Sequence, residues 1–281
     1  LGLALIFFIA FNWADIGKLA QFAGIELLLV AALGVTVWKG TTHIIGKAGL
    51  LLAVLILGAL LALVGQTYQT GADPWQLFAV WAALSLPWVW ICGWAGLWVF
   101  WLVLVNLALA RYGEVTGYIS PHDALLLVNG LAWLVWEGIT TRCTATPAIA
   151  RWPVVLLAFV VVSIATINLC LFIWGADVFY SAIPPYILPL LALAILGAAF
   201  CYYRYVRPEV SLLAIMGIAV IVLVPVLLGR LLFNIADTMD DQLGVIILML
   251  LSMAAVITTT TTLVVRYLLR FSKHTTQEGV R

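Results

Sequence analysis

The sequence predicts an all-α fold: a polytopic integral membrane helix bundle of about ten transmembrane helices, forming a single transmembrane domain over residues 1–281. Hydrophobic residues make up 65% of the 281 residues and charged residues only 9%, and the mean hydropathy is +1.19. A soluble domain of this length would need far more charge on its surface. The hydrophobic residues also fall into separate stretches, most of them long enough to cross a bilayer. We therefore expect lipid to be the solvent of this chain.

The predicted spans follow one another with short connections. A membrane helix needs about 20 apolar residues, and fewer where the bilayer is thin. The chain begins at Leu1 without a Met, inside the first hydrophobic stretch, so we expect a preceding segment to be missing. No connection exceeds about a dozen residues, which is too short for a separate folded domain. The spans lie near residues 1–12, 19–38, 48–67, 75–91, 94–111, 123–139, 153–174, 186–203, 210–232 and 243–269.

The basic residues predict which side of the protein faces the cytoplasm. Counted over alternate connections, ten Lys and Arg residues lie on one side and three on the other. By the positive-inside rule the side with ten is cytoplasmic, so both chain ends face the cytoplasm. The ten are Lys39, Lys47, Arg142, Arg151, Arg204, Arg207, Arg266, Arg270, Lys273 and Arg281, and the three are Lys18, Arg111 and Arg230.

Several classes of function find no support in the sequence. The Lys and Arg residues are spread over the connections and form no basic patch, so nucleic-acid binding is not expected. The four cysteines are isolated, and no metal-ligand spacing, cofactor fingerprint or complete catalytic motif is present. We therefore assign no catalytic residue, no cofactor and no metal ligand. His122 and Asp123, with Glu114 in the same outer connection, are interpreted as solvated loop residues rather than as a metal site or an acid–base pair.

Glu26 is the one carboxylate that we place well inside a predicted span. An ionisable side chain in the membrane is costly unless it is paired or neutral, and it is a functional hypothesis by default. Arg230 lies one or two turns before the outer end of its predicted span, so we place it in the same outer leaflet as Glu26. We predict an intramembrane ion pair between Glu26 and Arg230. The pair either fixes helix packing or takes part in proton or substrate handling.

The densest polar cluster, residues 65–78, closes the third predicted span and opens the fourth. Gln66 and Gln69 lie three residues apart and share a face if the helix continues. Gly71 can end the first helix, and Asp73 can cap the next one, with a Pro in its first turn. Local helix chemistry therefore accounts for half of this cluster.

Gln66, Tyr68 and Gln69 are not explained by helix ends. Amide and phenol groups at the outer membrane boundary can bind a headgroup, a sugar or a peptide, or they can hydrogen-bond between helices. Asn12 and Asp15, in the turn after the first span, lie on the same predicted outer side. Together with Asp73 these residues are the candidate ligand-binding or partner-binding surface.

Two of these segments resemble the DUF2157 family of predicted bacterial membrane proteins. They are the turn FNWAD at residues 11–15 with Lys18 after it, and above all GQTYQTGADPWQLF at residues 65–78, followed by Trp81. The resemblance covers roughly the first ninety residues and is only hydropathic beyond them. It implies a multi-span protein preceded by a short cytoplasmic segment. It also implies a setting similar to that of proteins that occur with a GDYXXLXY-type partner outside the cytoplasmic membrane, and it assigns no reaction.

Three functions remain open from the sequence. The first is a non-enzymatic subunit that binds an envelope partner protein or a lipid through its outer turns. The second is a small transporter or lipid-handling protein, with Glu26 and Arg230 lining a cavity between proline-kinked helices. The third and least favoured is an intramembrane enzyme that uses Glu26 or Asp73 as a general acid or base on a lipid-linked substrate. Polar residues that converge on a cavity would favour the last two, and a flat outer rim would favour the first.

Overall fold

Helices and turns account for the described chain. The computed structural model describes residues 16–69, 71–118, 120–142, 151–175, 186–236 and 242–278. These ranges contain no β-strand, and they contain nine helices that are long and apolar enough to cross a membrane. The all-α, polytopic fold is therefore confirmed. The first predicted span, residues 1–12, lies outside the described residues.

Each of the other nine predicted spans corresponds to one helix. The helices are α1 Lys18–Lys39, α2 Ile44–Tyr68, α3 Pro74–Cys92, α4 Ala95–Thr116, α5 Pro121–Arg142, α6 Trp152–Ile173, α7 Ile187–Cys201, α8 Val210–Ala236 and α9 Gln242–Glu278. A π-helical turn, Tyr202–Val206, extends α7 and is closed by a 2.9 Å hydrogen bond from Arg207 N to Tyr202 O. At 37 residues α9 runs past its predicted end, because the prediction followed hydropathy and the last turns of α9 are polar.

The helices belong to two compact units, residues 1–115 and residues 116–281. In the first unit, α1 and α2 pack closely through small residues. Thr36 Oγ1 on α1 donates to the carbonyl oxygen of Gly46 on α2 at 3.2 Å. A Cβ atom added to Gly49 would lie 2.8 Å from that hydroxyl oxygen, so glycine is needed for this approach of the two helices.

Indole rings join α2, α3 and α4 in the first unit. Trp81 Nε1 donates to the Val54 carbonyl oxygen at 2.8 Å, and its ring covers Gly58. Trp101 Nε1 donates to the Ala82 carbonyl oxygen at 2.9 Å. An indole N–H has no water to bond in the hydrocarbon region, so each bond satisfies the ring and connects two helices.

In the second unit, α6 is the central helix. Its residues Ala158, Val161 and Ala165 are fully buried, and α6 packs against α5, α7 and α8. The last helix, α9, packs against α8. Side chains of α5 and α7 form the two walls of a groove.

Candidate functional site

The predicted outer-turn residues lie at the break between α2 and α3. The helix α2 ends at Tyr68, and Gln69 follows in the left-handed conformation, with φ 44° and ψ 50°. The prediction that Gly71 ends this helix is therefore wrong by two residues. Because the helix stops before Gln69, the helical face that Gln66 and Gln69 were expected to share does not form.

Asp73 begins the next helix differently from the prediction. It occupies the N-cap position of α3, and Pro74 takes the first helical position as predicted. Its carboxylate, however, makes no capping hydrogen bond within the described residues, so the predicted side-chain cap is absent. Tyr68 is 70% exposed, and its ring lies 6.3 Å from the ring of Phe22 on α1. The turn presents four exposed polar side chains, those of Gln66, Tyr68, Gln69 and Asp73.

The other sequence-predicted site residues are not brought together. Asn12 and Asp15 lie outside the described residues. Glu26 has an exposed side chain on α1 in the first unit. Arg230, on α8 in the second unit, stacks its guanidinium 5.9 Å from the ring centre of Trp174. The two residues belong to different units, and their ion pair stays a prediction.

A groove of about 780 Å³ lies between α5 and α7 in the second unit. Small residues make room for it: Gly130 and Gly138 on α5, and Ala194 and Ala198 on α7. The remaining walls are mostly leucine and isoleucine side chains, which leaves a lining that is almost entirely apolar. They are Leu126, Leu127, Leu131, Leu134, Leu191 and Ile195.

Polar side chains gather at one end of the groove. Glu137 from α5 and Tyr202 and Tyr203 from the end of α7 line it there. The ring of Tyr203 stacks on that of Trp133, with centroids 6.0 Å apart and planes 18° apart, and it meets the Tyr202 ring edge to face at 4.9 Å. The π-helical turn thus places two consecutive tyrosines at the same end of the groove.

Four charged side chains form a network at this end. Arg151, just before α6, donates from Nη1 to Glu137 Oε2 at 3.1 Å and from Nε to Glu209 Oε2 at 3.0 Å, and its Nη2 also contacts Glu209. Arg207 donates to Glu137 Oε1 at 3.1 Å. The network ties the start of α6 and the connection before α8 to the last turns of α5. Glu137 is its most buried member, with 8% of the residue exposed.

The electrostatics of the network keep Arg151 charged. Burial by itself would lower the pKa of the Arg151 guanidinium, because it disfavours the cation. The hydrogen bonds and the negative charges of Glu209 and Glu137 outweigh that effect, and the pKa lies above the ordinary value for arginine. Arg151 is therefore a permanent cation held between two carboxylates.

Sequence reasoning did not single out this network, although part of its signal was present. Glu137 lies within the predicted span 123–139, two residues before its end. Arg151, Arg207 and Glu209 lie in connections that the alternating count places on the same side. Opposite charges in neighbouring connections on one side are candidates for pairing, and this rule would have suggested the network.

The interpretation of Asp123 as a solvated loop residue is wrong. Asp123 lies in the first turn of α5 and is 1% exposed. Neither of its carboxylate oxygens has a hydrogen-bond partner in the described chain. Across the same residues, no group of three or more His, Cys, Asp or Glu side chains could hold a metal ion.

The nine membrane-length helices of the described residues define a polytopic helical membrane protein. The model of the DUF2157 family, described as predicted membrane protein, matches residues 1–98. This match confirms the resemblance for that part of the chain, and the groove and the charged network lie beyond it. Comparisons with curated proteins and with solved structures give no match.

Proposed function

We propose that this protein is a non-enzymatic, lipid-binding protein of the bacterial cytoplasmic membrane, and that the groove between α5 and α7 holds a lipid acyl chain. The groove carries this proposal. Its volume of about 780 Å³ lies within the usual range of ligand sites, about 300–1,000 Å³. The sequence had suggested lipid binding through the outer turns, whereas the groove offers a larger and more apolar surface.

The length of the groove suits a lipid chain. Its lining residues on α5 run from Leu126 to Thr141, which is about 22 Å of helix at 1.5 Å per residue. The hydrocarbon core of a bilayer is about 30 Å thick, so a chain lying along α5 would follow most of it. The polar end, with Tyr202 and Glu137, would then lie where the lipid changes from chain to headgroup.

A binding role is favoured over catalysis by the state of Glu137. Its two carboxylate oxygens accept hydrogen bonds from Arg151 and Arg207. A carboxylate paired with two guanidiniums is a poor general base, because taking up a substrate proton would weaken both ion pairs. The carboxylate therefore acts as a structural acceptor at the end of the groove.

The positive-inside count supports an orientation for this site. With both chain ends cytoplasmic, the last turns of α5 and the connections that hold Arg151 and Arg207 lie on the cytoplasmic side. A lipid in the groove would then have its headgroup in the inner leaflet. Accessibility labelling of single cysteines placed at Arg142 and at Glu114, on intact cells, tests the orientation, since only a cysteine at position 114 should react from outside.

Filling the groove tests lipid binding directly. A Cβ atom at Gly130 meets no atom within 4 Å in the described chain, so Gly130→Phe can place its ring in the groove without moving the backbone. Gly197 on α7 is equally open and does not line the groove, so Gly197→Phe is the matched control. The proteins are placed in vesicles containing a phospholipid with a diazirine near the end of one chain, and the cross-linked residues are mapped by mass spectrometry.

Wild type and Gly197→Phe are expected to cross-link at groove residues of α5 and α7 more than at outward-facing residues of the same helices. Gly130→Phe should lose most of the groove cross-links and keep the others. Equal labelling of the groove in all three proteins would contradict the proposal.

The exposed outer turn favours a second function, binding of a partner protein. Tyr68 is 70% exposed, Gln69 is also exposed, and the Asp73 carboxylate makes no cap, so these polar groups are available to another chain. A membrane or periplasmic protein of the GDYXXLXY type is the partner that the family resemblance suggests. The function of this surface would be independent of the groove.

A photoreactive amino acid at position 68 tests the second function in the native membrane. Position 90, at the other end of α3, is the matched control because Trp90 is 75% exposed. A protein adduct of one defined mass at position 68, lost when Asp73→Ala is added, is the expected result. The same adducts at both positions, or an adduct that Asp73→Ala does not affect, would contradict it.

A further inference from the structure

We propose that Asp123, Ser120 and Asn168 form a binding site for a monovalent cation at the start of α5. The site is separate from the groove and does not depend on the proposed lipid binding. Asp123 and Asn168 are each 1% exposed and Ser120 is 6% exposed. Within the described residues, both carboxylate oxygens of Asp123, the Ser120 hydroxyl and both polar atoms of the Asn168 amide have no hydrogen-bond partner.

Helix capping does not account for this cluster. The spacing of Ser120 and Asp123 is that of a capping box, in which the two side chains would bond to backbone N–H groups of the first turn. In the structure, the backbone N–H groups of Asp123 and Ala124 instead both donate to the Ser120 carbonyl oxygen, each at 3.1 Å. The Ser120 hydroxyl and the Asp123 carboxylate are therefore left over after the helix end is satisfied.

Asn168 lies at nearly the same height as Asp123 on the neighbouring helix. Arg151, one residue before α6, donates from Nη1 to Thr140 Oγ1 near the end of α5 at 3.1 Å. Counted from this contact, Asp123 and Asn168 each lie 17 residues along their helices, which is about 26 Å at 1.5 Å per residue. The two helices pack against each other, and both side chains are buried. Their difference in height is less than one helical turn, about 5.4 Å.

The ligand chemistry indicates a cation of single charge. The side chains offer two carboxylate oxygens, one hydroxyl oxygen and one amide oxygen, which are the ligands that hard cations prefer. A monovalent ion neutralises the one carboxylate, whereas a divalent ion would leave a buried unpaired charge.

Sodium is the probe for the test, and the readout is the thermal unfolding of the full chain in lipid nanodiscs. The unfolding temperature is measured across a range of sodium chloride concentrations, with choline chloride added to keep the ionic strength constant, and again with potassium chloride. A ligand that binds only the folded state raises this temperature with its concentration. We expect wild type to respond to sodium or potassium and not to choline.

Two carboxylate variants locate the response. Asp123→Asn should remove it, while Glu114→Gln, which alters an exposed carboxylate of the first unit paired with Arg111, should keep it. If Asp123→Asn does not fold, Asn168→Leu takes its place and should shift the response to higher sodium concentrations. Titration calorimetry of sodium into wild type and the variants gives a second readout that does not depend on unfolding.

Three results would overturn the proposal. Equal unfolding temperatures in sodium, potassium and choline would mean that ordered water alone occupies the cluster. A sodium response that survives in both Asp123→Asn and Asn168→Leu would place the ion elsewhere. A wild-type protein that is stabilised by acid and ignores sodium would assign the site to a proton.

Discussion

Replacing Glu137 by glutamine is expected to destabilise the protein by about 3 kcal/mol. The Glu137 side chain is 10% exposed and accepts from two arginines whose side chains are 26% and 32% exposed. Removing one partner of a buried ion pair costs about 3–5 kcal/mol, because the remaining charge is left without compensation. The low end applies here, since Arg151 keeps its bonds to Glu209 and both guanidiniums reach solvent in part.

Thermal unfolding in lipid nanodiscs measures this loss. For a chain of this size each kcal/mol corresponds to about 2–4 °C, so Glu137→Gln should lower the unfolding temperature by about 6–12 °C. Glu114→Gln is the matched control: its oxygen lies 2.7 Å from Arg111, but the two side chains are 50% and 52% exposed. Exposed pairs of this kind contribute about 0.5 kcal/mol or less, so the control should shift by less than about 2 °C.

A double variant separates the pair from the rest of the network. Glu137→Gln combined with Arg151→Gln should cost less than the sum of the two single changes, because neither charge is then left buried without its partner. Equal shifts for Glu137→Gln and Glu114→Gln, or strict additivity in the double variant, would refute the reasoning. The unfolding is compared at one scan rate, since membrane proteins seldom refold on cooling.

Four further predictions are checked by the same unfolding measurement. Gly58→Ala should lower the free energy of unfolding by about 1–3 kcal/mol, because the added Cβ would lie 2.3 Å from the indole ring of Trp81. Gly65→Ala is the control: an added Cβ there meets no atom within 4 Å in the described chain, so this change should be neutral or stabilising. Gln69→Gly should stabilise by about 1 kcal/mol because glycine adopts a φ of 44° without strain, whereas Gln66→Gly inside α2 should destabilise by a similar amount. Arg151→Lys should cost about 1–2 kcal/mol because an ammonium cannot hold two carboxylates in a planar fork. The raised pKa of Arg151 means that its contribution is complete below the ordinary pKa of arginine and is lost only above it, so this residue should cause no loss of stability between about pH 7 and pH 10. Equal effects within either glycine pair, or a loss through Arg151 in that pH range, would contradict these predictions.

The helices could be predicted because hydropathy alone determines where a chain crosses a membrane. The helix ends required more than hydropathy. α5 begins at Pro121, two residues before its predicted span, and the Ser-Pro pair at its start is a signal that would have corrected the assignment of Asp123. At the end of α2 the sequence signal was misleading. Glycine at position 71 favours a left-handed conformation, yet Gln69 already adopts one two residues earlier. Local preference could not reveal this, because the turn must also bring α3 back onto α2.

The candidate site was harder to predict because its parts are far apart in sequence. Glu137 and Arg207 are 70 residues apart, and their contact depends on how α5, α6 and α8 pack. The order of the spans tells us on which side of the membrane a charged residue lies. It does not tell us which helices pack against each other. Glu26 and Arg230 were predicted to pair only because both lie towards the outer side of the membrane. The groove had no sequence signal of its own, since glycine and alanine are common throughout membrane helices.

The π-helical turn at residues 202–206 contains one residue more than an α-helical path would need. Deleting one residue of this turn after Tyr203 would rotate the residues that follow by about 100° around the α7 axis, which would move Arg207 away from Glu137. The contact between Arg207 and Glu137 therefore depends on the length of this one turn.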